Sequence, residues 1–400
     1  MTEFVVPFAI YVLGLAVFAQ GTSEFMLSGL VEDIARDMGV SIGTAGTLTS
    51  AFALGMIVGA PLMAAASMRW SRRRALLVFL LVFLAVHVVG AVTTSFAVLL
   101  AARVVGALAN AGFLAVAVAT AAGMVAPNAK GRATATLLAG VTLACVAGVP
   151  GGAVLGQLWG WRAAFWAVVV LSVPAVYAIV RSVPAGAPDA AAPSARSELR
   201  ALQSPRLLVI LLLGALVNGA TFCSFTYLAP LVTNVTGFAQ TWVPLVLALF
   251  GLGSFAGVTA GGRMADTRPL RLLGYGSVAL LAGWVVFALS AGSPAATLLL
   301  VFVQGTLSFG VGSTLISQAL YAATDAPTLA GGFSTAALNV GAMVGPSLGA
   351  VALDGGLGYR SPLWISALLV AVALLTGAAA QARTRPRTRT RAPSSSAAAE

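Results

Sequence analysis

Charged residues are scarce in this sequence: 8% of its 400 residues are charged and 59% are hydrophobic. Soluble domains carry about 25% charged residues, so the composition excludes an ordinary soluble domain and favours a chain surrounded by lipid. Histidine and cysteine are nearly absent as well, since His87 is the single histidine and Cys145 and Cys223 are the two cysteines. None of the three has a partner at metal-ligand spacing, so we expect no metal site, no disulfide and no cofactor.

Long apolar runs fill most of the remaining sequence. Twelve of them are long enough to cross a hydrocarbon core about 30 Å thick as helices. We therefore expect an all-α integral membrane protein with twelve transmembrane helices. The predicted spans are 7–30, 42–66, 75–93, 96–118, 133–157, 162–181, 206–231, 241–262, 270–290, 294–320, 328–352 and 361–380.

The net charge of +11 is placed in a way that argues against a nucleic-acid partner. Eighteen of the 22 basic residues fall in the tail or in loops on one side of the predicted spans, and three fall on the other side. Because basic loops stay in the cytoplasm, we predict a multi-pass protein of the bacterial inner membrane with both termini cytoplasmic. Residues 182–205, rich in Ala, Pro and Ser, are interpreted as a cytoplasmic linker between two six-helix halves, 1–181 and 206–380, and 381–400 as a disordered basic tail.

The two halves repeat each other at a constant shift of 198 residues. The run 54–59, Leu-Gly-x-x-x-Gly, aligns with 252–257, and the run 160–166, Gly-Trp-Arg-x-x-Phe-Trp, aligns with 358–364, Gly-Tyr-Arg-x-x-Leu-Trp. Six spans separate each residue from its copy, so both copies run in the same direction. Parallel repeats of this kind are typical of the major facilitator fold.

Small residues recur at every fourth position of the fifth predicted span. They leave one face of the helix nearly bare, so that a neighbouring helix can approach closely, and ordinary helix packing is the alternative role. The run 148–152, Gly-Val-Pro-Gly-Gly, resembles the fifth-helix antiporter motif of drug:proton exporters in the major facilitator superfamily. The residues assigned to this motif are Gly140, Gly148, Pro150, Gly151, Gly152 and Gly156.

The loop after the second span resembles the superfamily's basic signature between its second and third helices. The first-half copy departs from the pattern because Met68 stands where the superfamily has an aspartate. Setting the topology is the alternative role for its arginines. The resemblance implies a cytoplasmic gate at Arg69, Arg72, Arg73, Gly262, Asp266 and Arg271.

Glu24 is the one acidic residue well inside a predicted span, and Gln20 lies one turn away on the same face. Arg103 lies inside the fourth span with Asn110 on its face, in a run that resembles the superfamily's intramembrane-arginine motif. Ionisable groups in a membrane are costly and usually functional, so we predict that Glu24 and Arg103 couple proton movement. The alternatives are a structural, hydrogen-bonded Glu24 and an Arg103 that snorkels to the membrane surface.

Further polar and aromatic residues predict a cavity between the two halves. Binding sites in such folds lie near the midplane at the interface of the repeats, and an apolar pocket with a few polar groups suits a small amphiphile. Hydrogen bonding between helices is the alternative role for each polar side chain. The predicted substrate-binding residues are Gln20, Glu24, Asn110, Asn218, Phe222, Phe225, Tyr227, Gln304 and Asn339.

The runs 8–26, 103–113 and 225–230 closely resemble actinobacterial chloramphenicol exporters of the drug:proton antiporter branch, and the resemblance extends through all twelve spans. It implies proton-coupled drug efflux by alternating access, with a small-molecule drug, protons and the lipid bilayer as partners and no obligate protein partner. Proton-coupled export of sugars or nucleosides is the alternative.

An enzyme is disfavoured because no cluster of His, Asp or Cys stands at helix ends, and an ATP-driven pump is disfavoured because no G-x-x-x-x-G-K-[ST] loop is present. A channel would need neither the glycine motif nor a single buried acid.

Overall fold

A computed structural model describes residues 7–67, 70–126, 130–183, 204–265, 269–322 and 330–384. All regular secondary structure in these ranges is helical. Twelve helical segments there are long and apolar enough to cross a membrane, which confirms the predicted number. They are Phe8–Gly29, Ile42–Gly59, Arg72–Val92, Phe96–Gly123, Arg132–Trp159, Arg162–Ser182, Pro205–Thr226, Gln240–Gly261, Pro269–Ser290, Pro294–Ala322, Gly332–Asp354 and Ser361–Ala382.

Fifteen α-helices build the described part of the chain. Serine caps begin three of them: Ser41 Oγ accepts from the Thr44 N–H at 2.9 Å, Ser71 Oγ from the Arg74 N–H at 3.4 Å, and Ser204 Oγ from the Leu207 N–H at 3.5 Å. The helices are α1 Phe8–Phe25, α2 Val31–Met38, α3 Ile42–Ser67, α4 Arg72–Val92, α5 Phe96–Gly123, α6 Lys130–Leu143, α7 Val149–Trp159, α8 Arg162–Ser182, α9 Pro205–Thr226, α10 Leu228–Asn234, α11 Val243–Ala265, α12 Pro269–Ser290, α13 Pro294–Ala322, α14 Ala330–Asp354 and α15 Ser361–Thr384.

Three spans are interrupted where the sequence predicted continuous helices. The first span continues beyond α1 as a 3-10 helix, Met26–Gly29, and the fifth contains a π-helical segment, Ala144–Gly148, between α6 and α7. The predicted helix 206–231 ends at Thr226, and α10 begins after Tyr227. Pro230 is the third residue of α10. A proline is tolerated in the first turn of a helix but not in its interior, which explains the break.

The connecting segments define two faces of the bundle. Six described connections are short and lie on what we call the short-loop face: 39–41, 93–95, 160–161, 235–239, 291–293 and 355–360. The opposite side, which we call the linker face, carries the connection between the two halves. Most of the predicted linker and tail, residues 184–203 and 385–400, lies outside the described residues.

The sequence repeat is visible in the contacts between helices. Gly55 of α3 packs against the carbonyl oxygen of Val104 in α5, and Gly253 of α11 packs against that of Phe302 in α13. The two contacts are related by the same 198-residue shift as the sequence repeat. A β-carbon at either glycine would meet the carbonyl oxygen, so the close approach requires glycine. The predicted fold, two parallel six-helix repeats, is thereby confirmed.

The two halves touch along α3 with α14 and along the fifth span with α11. The hydrogen bonds that join described residues of the first half to described residues of the second half lie between the middle of the bundle and the short-loop face. Ser347 Oγ donates to Ser50 Oγ at 2.9 Å, and Gln157 Nε2 donates to the Gln240 carbonyl at 2.6 Å. On the same side, Glu32 accepts from the second half through its side chain. The halves are therefore joined at the short-loop face.

Candidate functional site

Glu24 lies in the last turn of α1, and its side chain is partly buried. Among the residues that the structure describes, its carboxylate has no hydrogen bond and no ion pair. The carboxyl is close enough to interact electrostatically with the Arg103 guanidinium and with the Cys145 thiol. An intramembrane acid without a fixed partner is available for a proton or a ligand.

The Arg103 guanidinium binds the backbone of α1. Its Nη1 donates to the Ser23 carbonyl and to Ser23 Oγ, both at 2.9 Å, and its Nη2 donates to the Glu24 carbonyl at 3.4 Å. The cation lies 4.3 Å from the ring centroid of Phe52. The carbonyls of a last helical turn have no partner within the helix and carry the negative end of its dipole. Arg103 is 3% exposed and is turned into the bundle, not toward the membrane surface.

His87 of α4 joins this arrangement through Ser23. Its Nε2 lies 2.6 Å from Ser23 Oγ, and its Nδ1 lies 2.7 Å from the Phe83 carbonyl oxygen. Sequence reasoning did not place Ser23 or His87 in the site. The available signals were a polar ring in the middle of a span and a serine directly before the intramembrane acid.

The two remaining polar candidates of the first half are buried. Gln20 is 1% exposed, and neither of its amide atoms has a hydrogen-bond partner in the described part of the chain. Leaving such a group unpaired costs about 1–3 kcal/mol, so its amide is available for a ligand or water. Asn110 Nδ2 contacts Met56 Sδ at 3.5 Å.

A row of phenylalanine rings leads from the residue after Glu24 into the second half. The ring centroids of Phe25 and Phe222 are 5.8 Å apart, those of Phe222 and Phe225 are 6.3 Å apart, and Phe225 stacks on Phe250 at 4.5 Å. The structure therefore brings one of the two predicted phenylalanines, Phe222, to the end of α1, and the other, Phe225, next to it. It adds Phe25 and Phe250, which the sequence did not distinguish from other aromatic residues of apolar helices.

The polar candidates of the second half bind backbone carbonyls. Asn218 Nδ2 donates to a carbonyl of α14 at 2.7 Å, Gln304 Nε2 to one of α12 at 3.2 Å, and Asn339 Nδ2 to one in its own helix at 2.9 Å. The Tyr227 hydroxyl donates to the Pro346 carbonyl at 2.9 Å. In this conformation these side chains make contacts within and between helices, and Gln304 is fully buried between α12 and α13.

The glycine face of the fifth span packs on the first span. A β-carbon at Gly140 would meet the Gly14 carbonyl, and one at Gly148 would meet the Thr22 hydroxyl. Gly152 and Gly156 likewise face Met26 and Leu30, and Pro150 is the second residue of α7. Gly151 has nothing within 4 Å and points away from this contact. The π-helical segment also touches the second half, since a β-carbon at Gly251 would meet the Cys145 carbonyl.

The predicted gate residues that the structure describes lie toward the linker face. Arg72 Nη1 donates to the Ala119 carbonyl of α5 at 3.3 Å, Arg73 is partly buried, and Arg271 is exposed. Gly262 lies within α11. Arg69 and Asp266 lie outside the described residues, so their predicted part in a gate stays a prediction.

Comparisons with known proteins agree with this architecture. Residues 13–331 match the family model described as Major Facilitator Superfamily. The chain is similar to a chloramphenicol resistance protein of Streptomyces lividans, 59% identical over 372 residues that cover 92% of this chain and 95% of the relative. It is also similar to a chloramphenicol efflux pump of Mycobacterium tuberculosis, 32% identical over 91% of this chain and 89% of the relative.

A solved structure supports the fold independently. The crystal structure of a bacterial homolog of the human lysosomal transporter Spinster, in an inward-facing and unoccupied conformation, superposes with a TM-score of 0.73. The superposition covers 92% of this chain and 95% of that one, at 17% sequence identity. At this identity the likeness concerns the fold alone.

Proposed function

The chain belongs to the major facilitator superfamily, and on that premise we propose that it exports a small amphiphilic drug, chloramphenicol, in exchange for protons by alternating access. The observation that carries the proposal is the Glu24 carboxylate. It lies inside a transmembrane span beside Arg103, without a fixed partner among the described residues. An exchanger needs one group that can either carry a proton or interact with the drug, and the Glu24 carboxylate can do both.

The choice of substrate is supported by the two relatives and by the site. Both relatives are named for chloramphenicol, one for resistance and one for efflux, and both match along nearly the whole chain. The phenylalanine row beside Glu24 offers ring surface for an aromatic ligand. The unpaired amide of Gln20 offers a hydrogen-bond donor and an acceptor on the same helix.

Alternating access is supported by the contacts between the halves, which lie toward the short-loop face. We infer that the linker face is cytoplasmic, because eighteen of the 22 basic residues belong to that side. On this orientation the described conformation is closed to the outside of the cell.

A resistance assay tests the substrate. Expression in a bacterial host that lacks its own drug pumps should raise tolerance to chloramphenicol and lower its accumulation, and an uncoupler should restore the accumulation. A well-expressed protein that leaves chloramphenicol tolerance unchanged would contradict the substrate and favour the sugar or nucleoside alternative.

Cysteine labelling tests the orientation. Thr94 on the short-loop face and Leu270 on the linker face are both exposed. In a background without the native cysteines, Thr94→Cys should react with an impermeant maleimide added to intact cells, and Leu270→Cys should react only after permeabilisation. The reverse pattern would invert the orientation.

A further inference from the structure

The Ser23 side chain joins three transmembrane helices through a single oxygen atom. Ser23 Oγ on α1 is 2.9 Å from Arg103 Nη1 on α5 and 2.6 Å from His87 Nε2 on α4. All three side chains are buried, with exposed fractions of 0–4%. The space around Arg103, enclosed by side chains that include Phe52 and His87, has no room for a water molecule. At 2.6 and 2.9 Å these contacts are direct hydrogen bonds, without a bridging water.

The direction of each hydrogen bond follows from the groups involved. The Phe83 carbonyl can only accept, so the His87 nitrogen that faces it, Nδ1, carries the proton. In a neutral ring the other nitrogen, Nε2, then accepts, and the Ser23 hydroxyl donates to it. A neutral ring is expected beside the Arg103 cation in a dry space, because a second positive charge there would be unpaired. The lone pairs of Ser23 Oγ therefore remain for Arg103 Nη1, which can only donate.

This chain of bonds determines where the guanidinium lies. Nη1 is shared between the hydroxyl and the carbonyl of Ser23, and Nη2 reaches the Glu24 carbonyl at 3.4 Å. Two donors of Arg103 are thus directed at the backbone of α1, although the Glu24 carboxylate is within electrostatic range. Without the hydroxyl, Nη1 would lose one of its two acceptors, and the strongest remaining acceptor near it is the carboxylate.

We propose that Ser23 and His87 are positioning residues that hold Arg103 on the α1 carbonyls and so prevent a permanent ion pair with Glu24. The proposal rests on the proposed role of Glu24 as the proton-carrying group. A carboxylate locked to a guanidinium would release its proton and not take it back at working pH. A carboxylate that lies beside the cation without bonding to it can both release its proton and take it back.

The surroundings of Glu24 contain few other groups that titrate. Arg103 faces it from α5 and Cys145 from the π-helical segment, and His87 of α4 lies behind Arg103. Helices α3 and α7 carry no titratable side chain, and those of α6 and α8 stand toward the helix ends. From the second half, α9 approaches the end of α1 through an apolar ring, Phe222. A change in the titration of Glu24 would therefore report on Arg103.

Carbodiimide labelling tests the proposal without any drug. Dicyclohexylcarbodiimide reacts with protonated carboxyl groups in apolar surroundings, so the yield of Glu24 labelling against pH, read by mass spectrometry, follows its protonation. In Ser23→Ala and His87→Leu, we expect the midpoint to move toward lower pH by about one unit, the lower end of the effect of a cation beside a carboxylate. His87→Gln should stay near the wild-type midpoint, because its amide oxygen can accept from Ser23.

Ser172→Ala is the matched control. Ser172 is a fully buried serine of the same half, and its hydroxyl bonds only within its own helix, to the Val168 carbonyl at 2.8 Å. The labelling midpoint of Glu24 in Ser172→Ala should equal that in the wild type. If Ser23→Ala and His87→Leu fold, as judged by size-exclusion profile, and keep the wild-type midpoint, the proposal is wrong. If neither variant folds, Ser23→Cys is tested instead, because a thiol is only a weak donor and acceptor. A wild-type labelling midpoint in Ser23→Cys would likewise mean that the proposal is wrong.

The outcome is separable from that of the proposed function. Absence of chloramphenicol efflux would contradict the substrate but leave the labelling curves readable. Equal labelling of Glu24 at every pH from 5 to 9 in the wild type would contradict its role as a proton carrier, and the positioning proposal would fail with it. If the protein exports chloramphenicol but the folded Ser23 and His87 variants keep the wild-type labelling midpoint, only the positioning proposal is contradicted.

Discussion

The Ser347 hydroxyl of the second half donates to the Ser50 hydroxyl of the first half at 2.9 Å. Ser50 Oγ in turn donates to the Met343 carbonyl of α14 at 2.8 Å. Alternating access requires this contact to open, because a closed short-loop face cannot admit or release a ligand on that side. The serine pair is therefore a place where the two conformations can be told apart.

A disulfide at this position should stop transport. In a background with Cys145 and Cys223 replaced by alanine, we expect Ser50→Cys with Ser347→Cys to crosslink under mild oxidation, because the two side-chain oxygens are already in contact. The oxidised protein should lose drug efflux from vesicles, and reduction should restore it. Each single cysteine variant should be insensitive to oxidant. Full transport by a quantitatively crosslinked protein would show that this face stays closed throughout the cycle.

Two glycines of the same motif should respond differently to alanine. A β-carbon at Gly148 would meet the Thr22 hydroxyl, whereas one at Gly151 has nothing within 4 Å. Overpacking of this kind costs about 1–3 kcal/mol, so Gly148→Ala should lower the thermal unfolding midpoint in detergent and reduce transport. Gly151→Ala should match the wild type in both measurements. Equal damage from both changes would mean that the motif acts through backbone flexibility and not through its contact with the first span.

Patterns that repeat locally were predictable from the sequence, and contacts that depend on packing were not. Span length and the 198-residue repeat can be recognised in short runs of consecutive residues. The twelve helices and the parallel halves could therefore be predicted directly from the sequence. Spacing also marked Glu24 and Arg103 as intramembrane charges. It could not show that Arg103 binds the carbonyl of Ser23, because that contact depends on how α5 packs on α1. Nor could it reveal the π-helical segment, since Ala144–Gly148 has the composition of an ordinary helix.

The pair of Asp37 and Arg162 should make stability depend on pH in the acid range. The hydrogen bond from the Arg162 guanidinium lowers the pKa of the Asp37 carboxyl below its ordinary value of 3.8. A lowered folded-state pKa stabilises the protein above the unfolded value and stops doing so as the pH falls through the folded value. Because the Asp37 side chain is 45% exposed, we expect an effect of about 1 kcal/mol at most.

Thermal unfolding in detergent at pH 6 and at pH 3 checks this expectation. Asp37→Asn should lower the unfolding midpoint at pH 6 and have a smaller effect at pH 3. Asp33→Asn is the matched control, since Asp33 lies on the same short helix and its partner Arg36 is 75% exposed. An equal effect of Asp37→Asn at both pH values would mean that the ionised form of the carboxylate is not what stabilises the protein.

Glu24→Gln should separate transport from coupling. The amide has nearly the shape of the protonated acid but cannot release a proton, so we expect loss of drug-driven proton release and of uphill efflux, while drug exchange down a gradient continues. If one proton enters for each neutral drug expelled, each cycle moves one charge, and a potential of about 100 mV contributes about 2.3 kcal/mol. At about 1.4 kcal/mol per decade, this supports a drug gradient of roughly fifty-fold.

Asp33→Asn, which removes an acid outside the spans, should leave the gradient intact. Uphill efflux by Glu24→Gln at the wild-type rate would exclude Glu24 as the coupling group, and the free energy of the proton gradient would then have to enter through another residue.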